Sequence, residues 1–280
     1  MTRTSAPSFP ADVAALAASP FLTRFEGGAV TASTNDDCRA LGAAGAQEGT
    51  VVVALEQTAG RGRLGRTWAS PPGGVYLSLL LRPTLEPARL AALPLVAGVG
   101  VAAGLETLGA RVALKWPNDV LAAADEEHRS ARPGPKVAGI LVESKLGEGG
   151  AEWVVVGCGV NVSQPAAAAA ATPGAGSLEM LLGTPPDPAR VAAAVLDGVA
   201  GAYERFLSEG FGTLADDYEA RSALTGERVC VSDAAGTVTG GGLVLGVDEE
   251  GALVLDDEGT RIVVTAGDVT LRPAQRTVEP

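Results

Sequence analysis

Apolar and polar positions alternate along the first 223 residues in blocks of two kinds, some with the period of a strand and some with that of a helix. Ala11–Ala18 reads as a short helix and Arg24–Val30 as a strand. A turn at Ser33-Thr34-Asn35-Asp36 leads into a helix over Asp36–Ala44. Gly49–Glu56 and Gly74–Arg82 are β-branched and apolar enough for buried strands, with a glycine- and arginine-rich loop, Gln57–Arg66, after the first. Glu86–Leu108 is almost wholly apolar and predicts a buried helix. Val112–Trp116, Val137–Ser144 and Glu152–Gly157 supply further strands. Hairpins among them predict an α+β architecture: a mixed β-sheet with helices packed on it, not a parallel Rossmann sheet. Asp187-Pro188 then places an N-cap and a first-turn proline before a helix to Glu209, stopped by Gly210. A second helix is expected over Phe211–Ala223.

The pattern changes near Leu224-Thr225-Gly226. Arg228–Ser232, Gly236–Val247, Ala252–Asp256 and Thr260–Thr265 are short strands separated by acidic, glycine-ended turns. They predict a small SH3-like β-barrel. The expected domains are therefore residues 1–223 and 224–280. Pro165–Ala175, with its alanine run between two prolines, reads as a poorly ordered connection.

Composition narrows the function. The formal net charge is −12, and from Gly210 to Pro280 there are 13 acidic against 5 basic residues. Such a balance argues against nucleic-acid binding, which depends on neutralising phosphate. Cys38, Cys158 and Cys230 lie far apart without metal-ligand spacing, and read as reduced thiols of a cytoplasmic protein. His128 is the sole histidine, which leaves neither a His-based metal site nor a Ser-His-Asp triad, so no protein-held metal is expected. The start lacks the pattern of a secretory signal. The longest uncharged apolar stretch, Leu90–Leu105, has 16 residues with Pro94 and three glycines, short of the roughly 20 that span a bilayer.

Four clusters carry candidate chemistry. Glu56-Gln57-Thr58-Ala59-Gly60-Arg61-Gly62-Arg63-Leu64-Gly65-Arg66-Thr67-Trp68 joins backbone freedom to guanidinium forks, a combination that suits carboxylate and phosphate oxygens. It is not a Walker A loop, since no Gly-Lys-Ser/Thr follows. A solvated basic loop would show the same composition. Lys115-Trp116-Pro117-Asn118-Asp119 ends a strand in a polar turn. Lys136-Val137-Ala138-Gly139-Ile140-Leu141-Val142-Glu143 puts a lysine at a strand mouth. Gly157-Cys158-Gly159-Val160-Asn161-Val162 permits close packing beside an amide.

Taken in this order, and with Ser33-Thr34-Asn35 and Tyr76-Leu77-Ser78, these segments closely resemble the biotin–protein ligases. The resemblance runs from about Thr31 to Asn161 and resumes at Gly246-Val247-Asp248…Gly251-Ala252-Leu253. It implies a catalytic domain like that of class II aminoacyl-tRNA synthetases. It implies ATP-dependent activation of biotin to biotinyl-5'-AMP, then transfer to a lysine of a biotin carboxyl carrier protein of acetyl-CoA carboxylase, with Mg²⁺ held chiefly through phosphates. By position, the biotin-binding residues would be Ser33, Thr34, Asn35, Gln57, Gly60, Arg61, Gly62, Arg63, Lys136, Gly139 and Gly159. The nucleotide side would take Arg61, Arg66, Trp68, Asn118, Lys136 and Asn161. Lys136, Arg61, Arg63 and Asp119 would be catalytic, with Arg61 and Arg63 leading the electrostatics and Asp119 orienting or deprotonating the acceptor lysine.

Some relatives carry an N-terminal helix-turn-helix. Here 32 residues precede Ser33 and none reads as paired helices, so a form without DNA binding is expected, as a monomer or homodimer with no membrane partner. The Ala122–Pro135 hairpin is longer than the family pattern. Lipoate or octanoate ligases and transferases are the sister reading, and a non-enzymatic biotin sensor is the reading of another class. The loop glycines predict mobility around Gly60–Arg66. Saturating biotin should therefore slow tryptic cleavage of this loop; equal cleavage rates with and without it would overturn the expectation.

Overall fold

The computed structural model describes residues 8–123, 134–148, 150–163 and 174–271. His128, the alanine run and most of the Ala122–Pro135 hairpin lie outside the described residues. A seven-stranded mixed sheet runs β1-β2-β3-β7-β6-β5-β4, with strands β1 (Arg24–Thr31), β2 (Thr50–Gln57), β3 (Gly74–Leu81), β4 (Val112–Lys115), β5 (Asp119–Ala122), β6 (Lys136–Gly147) and β7 (Gly150–Asn161). Only β1 and β2 pair in parallel; every other neighbour is antiparallel. The expected α+β fold is thus present.

Both faces of the central strands are covered, which is why β3 is buried at every position. Val75, Leu77 and Leu79 of β3 join Val154, Val156 and Cys158 of β7 in the main core. Helices α3 (Leu93–Thr107) and α5 (Pro188–Glu209) pack on that face. On the other face α2 (Thr34–Ala43) covers Val52, Leu80 and Val155 with Cys38 and Leu41. Beyond the end of α2 the same face opens.

Several boundaries depart from the sequence pattern, for local reasons. Helix α2 starts at Thr34, because the Ser33 hydroxyl caps it by accepting from the Asp36 amide at 3.4 Å. The apolar stretch after Glu86 is not one helix. Pro87–Ala92 is a 3-10 turn, and α3 begins where Pro94 needs no amide partner. Pro87–Thr107 is long and apolar enough to cross a membrane, but it is mostly buried in the protein. Helix α6 (Gly212–Glu219) stops short of the expected Ala223. The chain there turns to bond β4, with Leu114 donating to Arg221 and Ala223 donating to Leu114. That contact covers the free edge of the sheet. The remaining helices are α1 (Phe9–Leu16) and α4 (Leu178–Leu182).

The second sheet is antiparallel and of SH3-like form, in the order β11-β10-β9-β8-β12, with β8 (Arg228–Ser232), β9 (Val238–Val247), β10 (Leu253–Asp257), β11 (Thr260–Val264) and β12 (Asp268–Leu271). It docks on the rest of the protein through polar contacts from the β4–β5 turn and from helix α6. The Trp116 indole donates to the Gly251 carbonyl at 3.1 Å, and Glu219 accepts from the Val247 amide at 2.7 Å. Trp116 itself precedes Pro117 through a cis peptide in the β4–β5 turn.

Helices α3 and α5 cross at glycines. A Cβ on Gly100 would lie 2.5 Å from the Val199 Cα and 2.6 Å from the Gly198 carbonyl oxygen, both backbone atoms that cannot swing aside. Gly201, on the same α5, has open space around its would-be Cβ. Alanine gains about 1 kcal/mol of helix propensity at either position. At Gly100 the overpacking cost of about 1–3 kcal/mol, or more, outweighs that gain. Gly100→Ala should lower the urea midpoint and Gly201→Ala should raise it; the same sign at both positions would contradict the close crossing.

Candidate active site

The open part of the sheet face forms the floor of a cavity of about 380 Å³. Strand register decides its lining. Tyr76 and Ser78 of β3 sit opposite Gly159 and Gly157 of β7, which sit opposite Gly139 and Leu141 of β6. Three of these positions are glycine, and each is glycine because another group occupies its Cβ space. A Cβ on Gly157 would strike the Asn35 amide, and one on Gly159 or Gly139 would meet the Trp68 indole. Trp68 therefore lies directly on the strands. The Lys136 ammonium stands 4.8 Å from the centre of its ring, within cation–π range.

A chain of hydrogen bonds forms the wall beside α2. Gln57 Oε1 accepts from the Thr34 amide at 2.8 Å and the Thr34 hydroxyl at 3.1 Å, and Gln57 Nε2 donates to Ser70 Oγ at 2.9 Å. Ser78 Oγ lies 2.9 Å from Thr34 Oγ1 and donates to Asn35 Oδ1 at 2.6 Å. Asn35 Nδ2 then donates to Glu143 at 2.8 Å. Ser33, Thr34, Asn35 and Ser78 are all buried, so these bonds fix the wall rather than decorate a surface. Among the described residues one N–H of Gln57 and the proton of Ser33 are left for a ligand.

The Arg-Gly loop is a small hairpin. Gly62 donates to the Arg66 carbonyl and Trp68 to the Gly60 carbonyl, with left-handed backbone at Leu64 and Gly65 making the turn. Each cation around the cavity faces an acid. Arg61 donates to both oxygens of Glu143, at 3.0 and 2.9 Å, and to Asp36 at 2.7 Å. Arg63 donates to Asn118 at 3.2 Å and stands 3.7 Å from Asp268, which also pairs with Arg66. Lys136 pairs with Asp119 at 2.5 Å. Partial burial pushes the Glu143 carboxyl upward, but the Asn35 bond and the Arg61 and Arg39 guanidinium groups outweigh it and hold it below the usual range.

The residues expected from sequence converge on this cavity, Gly60 excepted. Ser33, Thr34, Asn35, Gln57, Arg61, Gly62, Arg63, Arg66, Trp68, Asn118, Asp119, Lys136, Gly139, Gly159 and Asn161 all line it. Gly60 lies buried beneath, with its would-be Cβ against Trp68 and Ser70. Asn118 donates to the Ile140 carbonyl, and Asn161 donates to the carbonyls of Gly176 and Lys136. Sequence reasoning missed four groups. Glu143 and Ser78 stood inside quoted segments, and the alternation of Gly139, Leu141 and Glu143 on one face was the available signal. Asp36 follows Asn35 directly. Asp268, some two hundred residues from Arg63, carried no signal at all.

A glycine-floored cavity flanked by cations, on a mixed sheet with a small antiparallel barrel docked behind, defines the class. Residues 27–161 match the model of the Biotin/lipoate A/B protein ligase family. Along the whole chain the similarity is narrower. A biotin–[acetyl-CoA-carboxylase] ligase of Paracoccus denitrificans is 38% identical over 252 residues, covering 85% of this chain and 97% of that protein. One of Mycobacterium tuberculosis is 38% identical, covering 86% of each. The biotin protein ligase of Aquifex aeolicus, solved in complex with biotin and ATP, superposes with a TM-score of 0.70 at 31% identity over 88% of this chain and 97% of that one. The chain belongs to the biotin–protein ligases.

The Glu143 cluster makes a pH-dependent contribution to stability. A carboxyl with a depressed folded-state pKa stabilises fully above its ordinary value of 4.5, and the contribution is lost as pH falls through the depressed value. Glu143→Gln should cost about 1.5–3 kcal/mol at neutral pH, as expected for hydrogen bonds to a charge. In urea titrations the gap between parent and variant should close progressively below about pH 4.5. A gap that stays constant into strong acid would contradict the pairing.

Proposed function

We propose that this enzyme joins biotin to a specific lysine of the biotin carboxyl carrier part of acetyl-CoA carboxylase, in two steps within the cavity described above. The observation that carries the reading is the union of Lys136, Arg63 and Arg66 with a wall of oriented polar groups over one glycine floor. Bringing a carboxylate against a polyphosphate requires such fixed positive charge. The names of the Paracoccus and Mycobacterium relatives support the acceptor, and the Aquifex complex supports biotin and ATP as substrates.

In the first step the biotin carboxylate oxygen bonds to the α-phosphorus of ATP and pyrophosphate leaves. Ser33, Thr34 and Gln57 hold the ureido head, and Asn35 fixes the wall behind it. Gly62 gives the carboxylate a close backbone approach, with Gly60 holding the hairpin root and Gly139 and Gly159 keeping the floor low. Arg63, Arg66 and Lys136 meet the phosphate oxygens, and Trp68, Asn118 and Asn161 shape the nucleotide side. In the second step the acceptor amine attacks the acyl carbon, an amide forms and AMP leaves. Asp119 positions Lys136 first; once Lys136 turns to phosphate, Asp119 is left to orient the amine.

Among the described residues no three His, Cys, Asp or Glu groups converge as a metal site. A Mg²⁺ would be carried on the triphosphate with its own waters. The expected division at residue 223/224 gives the reacting groups to the first unit, while Asp268 of the second stands at the cavity. Cys38 and Cys158 are buried, with thiols pushed up to about 12, which suits inert cysteines of a cytoplasmic enzyme.

Labelled pyrophosphate should exchange into ATP in the presence of biotin, and not with lipoate or octanoate. Lys136→Met, which keeps the packing on Trp68, should lower the exchange kcat by about 100-fold or more. Exchange driven only by another acyl acid would move the protein to the sister enzymes. Biotin binding without exchange would make it a sensor.

A further inference from the structure

We infer that Glu143 is a positioning residue that turns Arg61 from a substrate cation into the anchor of the Arg-Gly loop, and ties that anchor to the biotin wall. The inference deepens the proposed function and rests on it. Arg61 engages both Glu143 oxygens as a bidentate fork and Asp36 besides. Arg39 completes the cluster, reaching Glu143 and Asp36 at 3.2 Å each. Two guanidinium groups and two carboxylates leave no net charge there, so Arg61 adds little attraction for a phosphate. Turning it toward a substrate would also remove a partner from a carboxylate only 21% exposed. Among the described residues Arg63 and Arg66 share a single acid, Asp268, and are the loop cations with charge to spare.

Glu143 itself does not line the cavity. Its second oxygen accepts from Asn35, whose Oδ1 accepts from Ser78; Ser78 in turn can accept from the Thr34 hydroxyl, and the Thr34 amide donates to Gln57. Gln57 closes the circuit through Ser70, which bonds the Trp68 carbonyl at the far end of the loop. Both ends of the Gly60–Trp68 hairpin are thus held by one chain of bonds, with Glu143 as the link that carries charge. Loosening it should free the hairpin backbone and misplace the groups that recognise biotin, while the Arg63 and Arg66 side chains keep their separate contacts with Asn118, Gly267 and Asp268.

The test is biotin-dependent pyrophosphate exchange on the whole protein. Glu143→Gln should raise the biotin KM about tenfold or more, with kcat within about threefold and the ATP KM unchanged. Arg61→Gln should do the same, and the double variant should add nothing, because the two act as one unit. Trypsin, without any substrate, should cut after Arg63 and Arg66 faster in both variants. A loss of kcat of about 100-fold in Arg61→Gln but not in Glu143→Gln would show that Arg61 itself meets the reacting atoms, and would overturn the inference. Additive effects in the double variant would overturn it too. If Glu143→Gln does not fold, Arg61→Gln alone must still show the KM effect and the faster cleavage. If the parent protein exchanges no pyrophosphate, the functional reading fails, and the trypsin comparison still decides the clamp: unchanged cleavage refutes it.

Discussion

Backbone hydrogen bonds hold β3, β7 and β6 at a fixed spacing, so the room above them depends on which positions of that face lack a side chain. Gly139, Gly157 and Gly159 fall together only because the register puts Gly159 opposite both Tyr76 and Gly139, and Gly157 opposite both Ser78 and Leu141. The absent Cβ atoms let Trp68 and Asn35 rest on bare backbone. A methyl group at either contact would lift the indole or the amide, and with them the loop and the wall. The opposite face of the same strands carries Val, Leu and Cys into the main core, which makes the floor rigid.

A site that gathers positive charge must also hold that charge against its own repulsion. Here each cation of the cavity has a carboxylate at hand: Glu143 and Asp36 for Arg61, Asp268 for Arg63 and Arg66, and Asp119 for Lys136. The acids differ in how tightly they are committed. Glu143 accepts from Asn35, Arg39 and Arg61, whereas Asp268 sits on a four-residue strand of the second sheet and holds two arginines through ion pairs. The first arrangement suits an anchor, and the second suits cations that exchange one anionic partner for another. The acidic balance of the chain thus includes groups that serve a basic site.

The second sheet accordingly reaches the cavity, through Asp268, as well as bracing the first. Trp116, one residue from Lys115 and two from Asn118, is fixed by the Gly251 carbonyl, and Gly251 packs against Ala92 and Leu95 at the start of α3. The turn that presents Asn118 and Asp119 is therefore braced from behind by the barrel. Arg63 is held from both sides, by Asn118 in the β4–β5 turn and by the Gly267 carbonyl just before β12.

Much of this protein can be read along the chain. The strand and helix periods, the Asp187-Pro188 start and Gly210 stop of α5, and the change of pattern near residue 224 are local properties, because caps, turns and alternation depend on neighbours in sequence. So are the Arg-Gly loop, Lys136 and the glycines, since chemistry and close approach restrict those positions to few residue types. Elements of four or five residues, such as β5, α4 and β12, carry too few positions to show a period. The pairing of charges was hidden for a different reason. Arg61 looks the same in sequence whether it faces phosphate or Glu143, and Asp268 looks like any barrel acid. Only the fold brings residues 61, 36 and 143 to one point and sets residue 268 beside 63 and 66, and proximity in space, not identity, decides which charge a group feels.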